Sequence, residues 1–328
     1  MLLAGPDRAE PFDLEFSTTE PAPAVHTGDR LVLGYQPNAL PQFRYIYLDR
    51  DRRGTLAWLA LLFAAVVVAL GRWRGLAALA GLVASFVVLL TFIVPAILDG
   101  SDPLLVAVVG CSAIAFLALY LAHGFGTMTT VALLGTLASL ALAAVVGTVF
   151  VHAAAFTGLT SEEAFVVRLG AANVNLSGLL LAGLIIGALG AIDDMAVTQA
   201  SSVWELRAAN PTSSRRELLR ASMRIGQDHV SSTVNTLALA YAGASLPLLI
   251  LFVISRQSLG TVANSEIVAA EIVRTLVGGI ALVACVPFTT WLAVLAAPGG
   301  TVPSAVVGDE GGAPTGTPRG ATPGRSPG

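Results

Sequence analysis

"GALGAIDDMAVTQASSVWEL", residues 187–206, begins as lipid-compatible helix and then sets two carboxylates side by side, Asp193 and Asp194. At about 3.6 residues per turn, Gly183, Gly187, Gly190, Asp194, Thr198, Ser201 and Glu205 fall at steps of three or four and form one stripe. Its glycine half, with GxxxG at 183–187, is expected to let another helix pack closely, and its other half is polar. Asp193 projects about 100° off this stripe, so the two acids look into different surroundings. Insertion scales put an Asp at the middle of a bilayer at about +2.5 to +3.5 kcal/mol. Each acid therefore needs polar neighbours, a cation, a proton or water.

The composition makes the bilayer the right solvent to consider. The chain of 328 residues is 55% hydrophobic and only 12% charged, about half the charge of an average soluble domain. All 18 cationic residues are Arg and none is Lys, which excludes a phosphate-loop lysine and a Schiff-base lysine. Cys111 and Cys285 sit inside apolar runs without zinc spacing, and His26, His123, His152 and His229 form no i,i+4 ligand pair. The sequence gives no catalytic residue, cofactor or metal site, so an enzyme is not expected.

Residues 1–50 differ in kind. "FDLEF", "DRLVLGY" and "RYIYLD" are β-formers punctuated by Pro and Gly, and predict a small β-rich segment. From residue 51 to 297 the apolar runs predict an all-α polytopic membrane bundle of about seven spans. They cover residues 55–71, 75–98, 103–123, 127–152, 176–204, 228–254 and 267–297. "GRWRG" at 71–75 predicts a tight turn joining the first two. Residues 298–328, rich in Gly, Pro, Thr and Ser, predict a disordered tail. Arg72, Arg74, Arg207, Arg215, Arg216, Arg220 and Arg224 fall on one side, and only Arg168 and Arg256 in short loops on the other. The Arg-rich side is expected to be cytoplasmic, with the β-rich segment outside and the tail inside. "RDRR" at 50–53 runs against that rule and is partly neutralised by Asp49 and Asp51.

The sixth run opens with "RIGQDHVSSTVNTLALAYAGASLP", dense in polar groups that include Asp228, His229, Ser231 and Asn235. Before it, Ser214 and Glu217 have capping-box spacing, read as opening a short, flat helix in the loop. If both spans are continuous and antiparallel above that loop helix, Asp194 meets Asn235 at one height, Thr198 faces Ser231, and Glu205 approaches Arg224. These residues, with Asp193, Asp228 and His229, are the candidate ion or substrate path. Gly183, Gly187 and Gly190 are the candidate packing face.

"LGAIDDMAVTQASSVWEL" (189–206), "NP" (210–211) and "GQDHVSSTVNTLALAYAGASLPLL" (226–249) resemble the YibE/F-like family of bacterial polytopic membrane proteins, with helices and loops matching over roughly residues 25–297. The resemblance puts Asp194 at the family's Asp position and Gln227 where a basic residue is common. It implies a multi-spanning inner-membrane protein of permease type. It also implies that this chain begins inside an extracytoplasmic β-domain that an extra span precedes in the family.

The leading expectation is a transporter with a proton- or cation-linked polar path between the fifth and sixth spans. Its partners would be the bilayer, a small solute or ion, and a second copy or another membrane protein; no nucleic acid is expected. The alternatives are a non-transporting scaffold or assembly subunit and, more remotely, an intramembrane aspartyl protease. The last needs two carboxylates at one depth on two spans, and the string here is Gly-Ala-Ile-Asp.

Overall fold

The structure is a computed structural model that describes residues 24–26, 28–40, 44–171, 173–256 and 258–298. "FDLEF" and the tail from residue 299 lie outside the described residues. The chain divides into two compact units, residues up to Phe92 with Phe116–Gly124, and Ile93–Ala115 with the residues from Phe125 onward.

In the first unit, β1 (Leu31–Tyr35) and β2 (Tyr45–Arg50) pair antiparallel, Leu31 opposite Arg50 and Tyr35 opposite Tyr45. The facing tyrosine rings lie 5.4 Å apart. The three arginines of "RDRR" all find acids: Arg50 pairs with Asp29, Arg52 with Asp49 at 2.6 Å, and Arg53 with Asp51 at 3.8 Å. The Arg52 hydrogen bond, helped by the Arg50 backbone N–H, holds the Asp49 carboxyl below its usual range.

Helix α1 (Arg53–Val88) runs on through a π-helical turn, Leu89–Ile93, into α2 (Val94–Leu98). The whole stretch of 46 residues is about 70 Å of helix if straight, against about 30 Å of hydrocarbon. It is not straight. Arg72, inside the expected "GRWRG" turn, has φ 51° and ψ −128°. A side chain on Gly75 would overlap the Val67 carbonyl, so the chain doubles back here. Gly81 lets Ala118 approach to within 3.4 Å of where a Cβ would stand.

The second unit is built on three long helices: α4 (Thr127–Ala153), α6 (Leu176–Ala209) and α10 (Glu266–Ala296). They pack pairwise on one another through small residues, among them Gly135, Ala143 and Gly147 on α4, Ala188, Ala196 and Ala200 on α6, and Gly278, Ala281 and Ala293 on α10. In lipid, helices associate by close packing rather than by leaving water, and small side chains are what allow it. Leu140, Leu184, Ile185, Ile192, Met195 and Leu282 fill the rest of the interior. The α6 start is fixed by its cap, the Asn175 side chain accepting from Gly178 N–H at 3.2 Å. At the same end Glu266 accepts from Thr157 N–H at 2.7 Å, Thr157 Oγ1 at 2.9 Å and Gly158 N–H at 2.8 Å, tying the α4 exit to the start of α10. The short α5 (Glu162–Gly170), capped by Ser161, interrupts the 153–175 connector.

The loop after α6 departs from expectation. The Ser214–Glu217 capping box forms, but it opens no separate flat helix. It starts α7 (Arg215–Ala244) itself, which continues past Ser245 into α8 (Leu246–Ile254) with a 60° bend. The short α9 (Leu259–Asn264) then leads to α10. Five helices of the described residues are long and apolar enough to cross a membrane: Arg53–Leu98, α3 (Pro103–His123), α4, α6 and α10; the bent α7–α8 pair makes six.

Candidate functional site

Helix α6 delivers its two acids to opposite settings. Asp193 is half-buried and turned toward α4, where Thr136 Oγ1 donates to its Oδ1 at 3.4 Å, long for a hydrogen bond. Thr136 and Ser139 of α4 and Cys285 and Thr289 of α10 are all fully buried. The Cys285 thiol donates to the Ile192 carbonyl at 3.6 Å and lies 3.5 Å from the Thr289 hydroxyl. A side chain on Gly135 would overlap the Thr289 hydroxyl, so that glycine is what admits Thr289 beside Thr136.

Below this cluster, Gln199 cross-links three helices. Its Nε2 donates to the Ser222 carbonyl of α7 at 2.8 Å and to Thr290 Oγ1 of α10 at 2.7 Å. Gly226 lets α7 close over the amide, because a Cβ there would lie 2.7 Å from Gln199 Oε1. An amide nitrogen left unpaired in hydrocarbon is costly, and this one has a partner on each of two neighbouring helices.

Asp194 faces the other way, its side chain 71% exposed, with Oδ2 4.0 Å from His229 Nε2 on α7. This is ion-pair range and beyond hydrogen-bond range. The expected pairing with Asn235 does not occur, and the reason is the missing flat helix. Since α7 begins at Arg215, Asp194 and His229 both lie about 15 residues, or about 22 Å, from the turn that joins their helices. Asn235 stands more than a turn further along and makes no side-chain hydrogen bond among the described residues. Asp228, Ser231 and Asn235 are exposed and Thr198 is half-buried. Ser231 gives its hydrogen to the Gln227 carbonyl at 3.3 Å, and among the described residues no ion pair joins Glu205 to Arg224 or engages Asp228.

The glycine stripe also lies on this open face. Gly183, Gly187 and Gly190 are exposed. What approaches them is not a helix backbone but the tips of two long side chains. Arg274 Nη2 comes within 3.9 Å of where a Gly183 Cβ would stand, and the Tyr241 hydroxyl within 2.9 Å at Gly187; nothing lies within 4 Å at Gly190. Arg274 is paired with Glu271 at 2.5 Å. On the far side of α7, a groove of about 960 Å³ separates it from α10, with apolar walls that include Val230, Val234, Ile280 and Pro287 and with Gln227 and Ser231 on its lining.

Thr136, Ser139, Gln199, Ser222, Thr289 and Thr290 were not singled out in the sequence, and Cys285 was read there only as a residue of an apolar run. The available signal was polar residues inside apolar runs, "LLGTLASL" on α4 and "PFTTW" on α10.

Long apolar helices with a split carboxyl pair inside them define a multi-pass membrane protein. The model of the YibE/F-like protein family matches residues 59–299, and the chain belongs to that family. No functionally curated protein and no solved structure matches it.

Proposed function

We propose that the protein is a permease-like transporter of the bacterial inner membrane that moves a small solute or ion in exchange with, or together with, a proton or another cation. The observation that carries this reading is the division of two adjacent carboxyls between two polar settings. Asp193 is held in the bundle interior against Thr136, and Asp194 stands in the open α6–α7 face opposite His229. One residue of helix separates a half-buried carboxyl facing α4 from an exposed one facing α7, an arrangement suited to a step of charge or proton movement. Intramembrane acids in such positions mark ion pathways and proton relays. Seven crossings follow if α1 and its continuation cross twice, on either side of the Arg72 break, and α7–α8 crosses once. The Arg-rich ends then lie in the cytoplasm, with the β1–β2 hairpin outside and the tail inside. No catalytic chemistry enters this reading.

The test is flux. Wild type, Asp193→Asn and Asp194→Asn are reconstituted in proteoliposomes with an internal pH-sensitive dye and a panel of ions outside. Wild type should show an ion-dependent pH or ion flux that both variants lose. A wild-type protein that moves nothing above empty liposomes sinks the proposal.

A scaffold or assembly role is favoured by one observation, the exposed Gly183–Gly187–Gly190–Asp194 face. A second copy or a membrane partner seated on it would remove Asp194 from lipid. On that reading Asp194→Asn changes the oligomeric state rather than any flux.

A further inference from the structure

We infer that the groove between α7 and α10 seats one membrane lipid with an anionic headgroup, its acyl chains in the groove and its phosphate against Arg216 and Arg220. The inference goes beyond the transport reading and does not depend on any flux.

The walls select hydrocarbon. The groove of about 960 Å³ is faced by Val230, Val234, Ile280, Val283 and Pro287. A second hollow of about 240 Å³ shares Ala238, Thr275 and Leu276 with it and carries the trough on to Leu248 and Leu249. From Met223 to Ala238 the α7 wall is about 22 Å long, inside the hydrocarbon thickness of about 30 Å. Gly279 makes room on the α10 wall, where a Cβ would meet nothing within 4 Å. Apolar hollows stay free of water, and in a bilayer the hydrocarbon at hand to fill one is an acyl chain.

The polar groups at one end select the headgroup. Arg216, Arg220 and the groove residue Gln227 fall on one stripe of α7, within about 20° of a common line. All three are exposed, and among the described residues none makes a side-chain hydrogen bond or ion pair. The acid in the same turn, Glu217, is turned back to its cap, accepting from Ser214 N–H at 2.8 Å. The depth is set by α10. Gly226 lies beside Val286 and Gly278 beside Leu237, so the two helices run antiparallel. That register brings Trp291, one turn past Pro287 and exposed, level with the turn from Arg220 to Arg224. A tryptophan at the end of a span sits at headgroup level, which is where lipid phosphates lie. An arginine fork pairs two phosphate oxygens at once, and basic side chains at the mouth of a crevice between spans are the means by which anionic lipids are recognised. A zwitterionic headgroup carries its own cation, which would oppose these arginines.

The test is lipid binding to the purified full chain. Delipidated protein in detergent is titrated with phosphatidylglycerol or with phosphatidylcholine of identical acyl chains, and bound lipid is counted by native mass spectrometry. Wild type should bind one phosphatidylglycerol about tenfold more tightly than phosphatidylcholine. Arg216→Gln combined with Arg220→Gln should lose that preference. Gly279→Phe, which fills the groove, should weaken binding of both lipids about tenfold. Arg215→Gln, off the stripe, should keep the wild-type preference. Equal affinity of wild type for the two lipids overturns the site, and so does an unchanged preference in the double arginine variant. If Gly279→Phe fails to elute as a single folded species, the arginine variants decide, since they alter exposed side chains alone. If Gly279→Phe turns a wild-type dimer into a monomer and leaves lipid binding as it was, the groove seats a second copy and the lipid site is overturned.

Discussion

The two faces of α6 are unlike in every physical respect. On one, Ile185, Ile192, Met195 and Gln199 are locked between α4 and α10, and glycines on the neighbouring helices exist to admit specific side chains. On the other, Gly183, Gly187, Gly190 and Asp194 look onto an open face that, among the described residues, the tips of Tyr241, Arg274 and His229 approach. A glycine therefore means different things a few residues apart: a fitted joint at Gly135 and Gly226, and unfilled space at Gly190.

Substitutions can break or sharpen this contrast. The largest effect is expected for Gly135→Val, whose side chain collides with Thr289 where α4 meets α10. Overpacking of this kind costs about 1–3 kcal/mol and sometimes more, so the variant should unfold well below wild type in a detergent thermal melt or fail to elute as one species. A wild-type melt would mean that α4 and α10 are not interlocked as described. Next comes Gly226→Ala, where the added methyl would lie 2.5 Å from Val286 Cγ1 and 2.7 Å from Gln199 Oε1. The expected loss is about 1–2 kcal/mol, together with faster proteolysis of the α6–α7 loop as α7 lifts. Gln199→Leu should cost about 1 kcal/mol, in keeping with the modest worth of interhelical hydrogen bonds in membranes. Combined with Ser222→Ala it should cost little more, because the bond goes to the Ser222 backbone carbonyl. The smallest effect is expected for Gly190→Ala. Nothing lies within 4 Å of the new methyl, and Ala is the better helix former. The melt should shift by less than about 1 kcal/mol, upward if at all. A large loss at this position would instead show that another chain covers the open face.

The sequence disclosed the closed side only in outline. Hydropathy located α3, α4 and α10 and the start of α6 almost to the residue, and "GRWRG" marked the break at Arg72, but the start of α7 was missed by 13 residues. The capping box at Ser214 was also legible, because a cap is a local event set by two side chains three positions apart in the chain. What the cap starts was not legible. Whether Ser214 opens a short helix or a long one depends on packing against α6 and α10, and that choice moved the partner of Asp194 from Asn235 to His229. The hydroxyl cluster was hidden for a different reason. A Ser or Thr in an apolar run can satisfy itself on the carbonyl one turn back, as Ser139 and Thr290 do, so its presence says nothing about which way it faces. Only the packing of three helices distant in sequence brings Thr136, Asp193 and Thr289 together.

The three-donor grip of Glu266 on Thr157 and Gly158 has a mechanical corollary. It rivets the outgoing end of α4 to the incoming end of α10, so those helices form a chassis that resists sliding. On the transport reading proposed above, movement is expected first in α7 and α8, which are anchored at the Gln199 end and bent by 60° near Ser245.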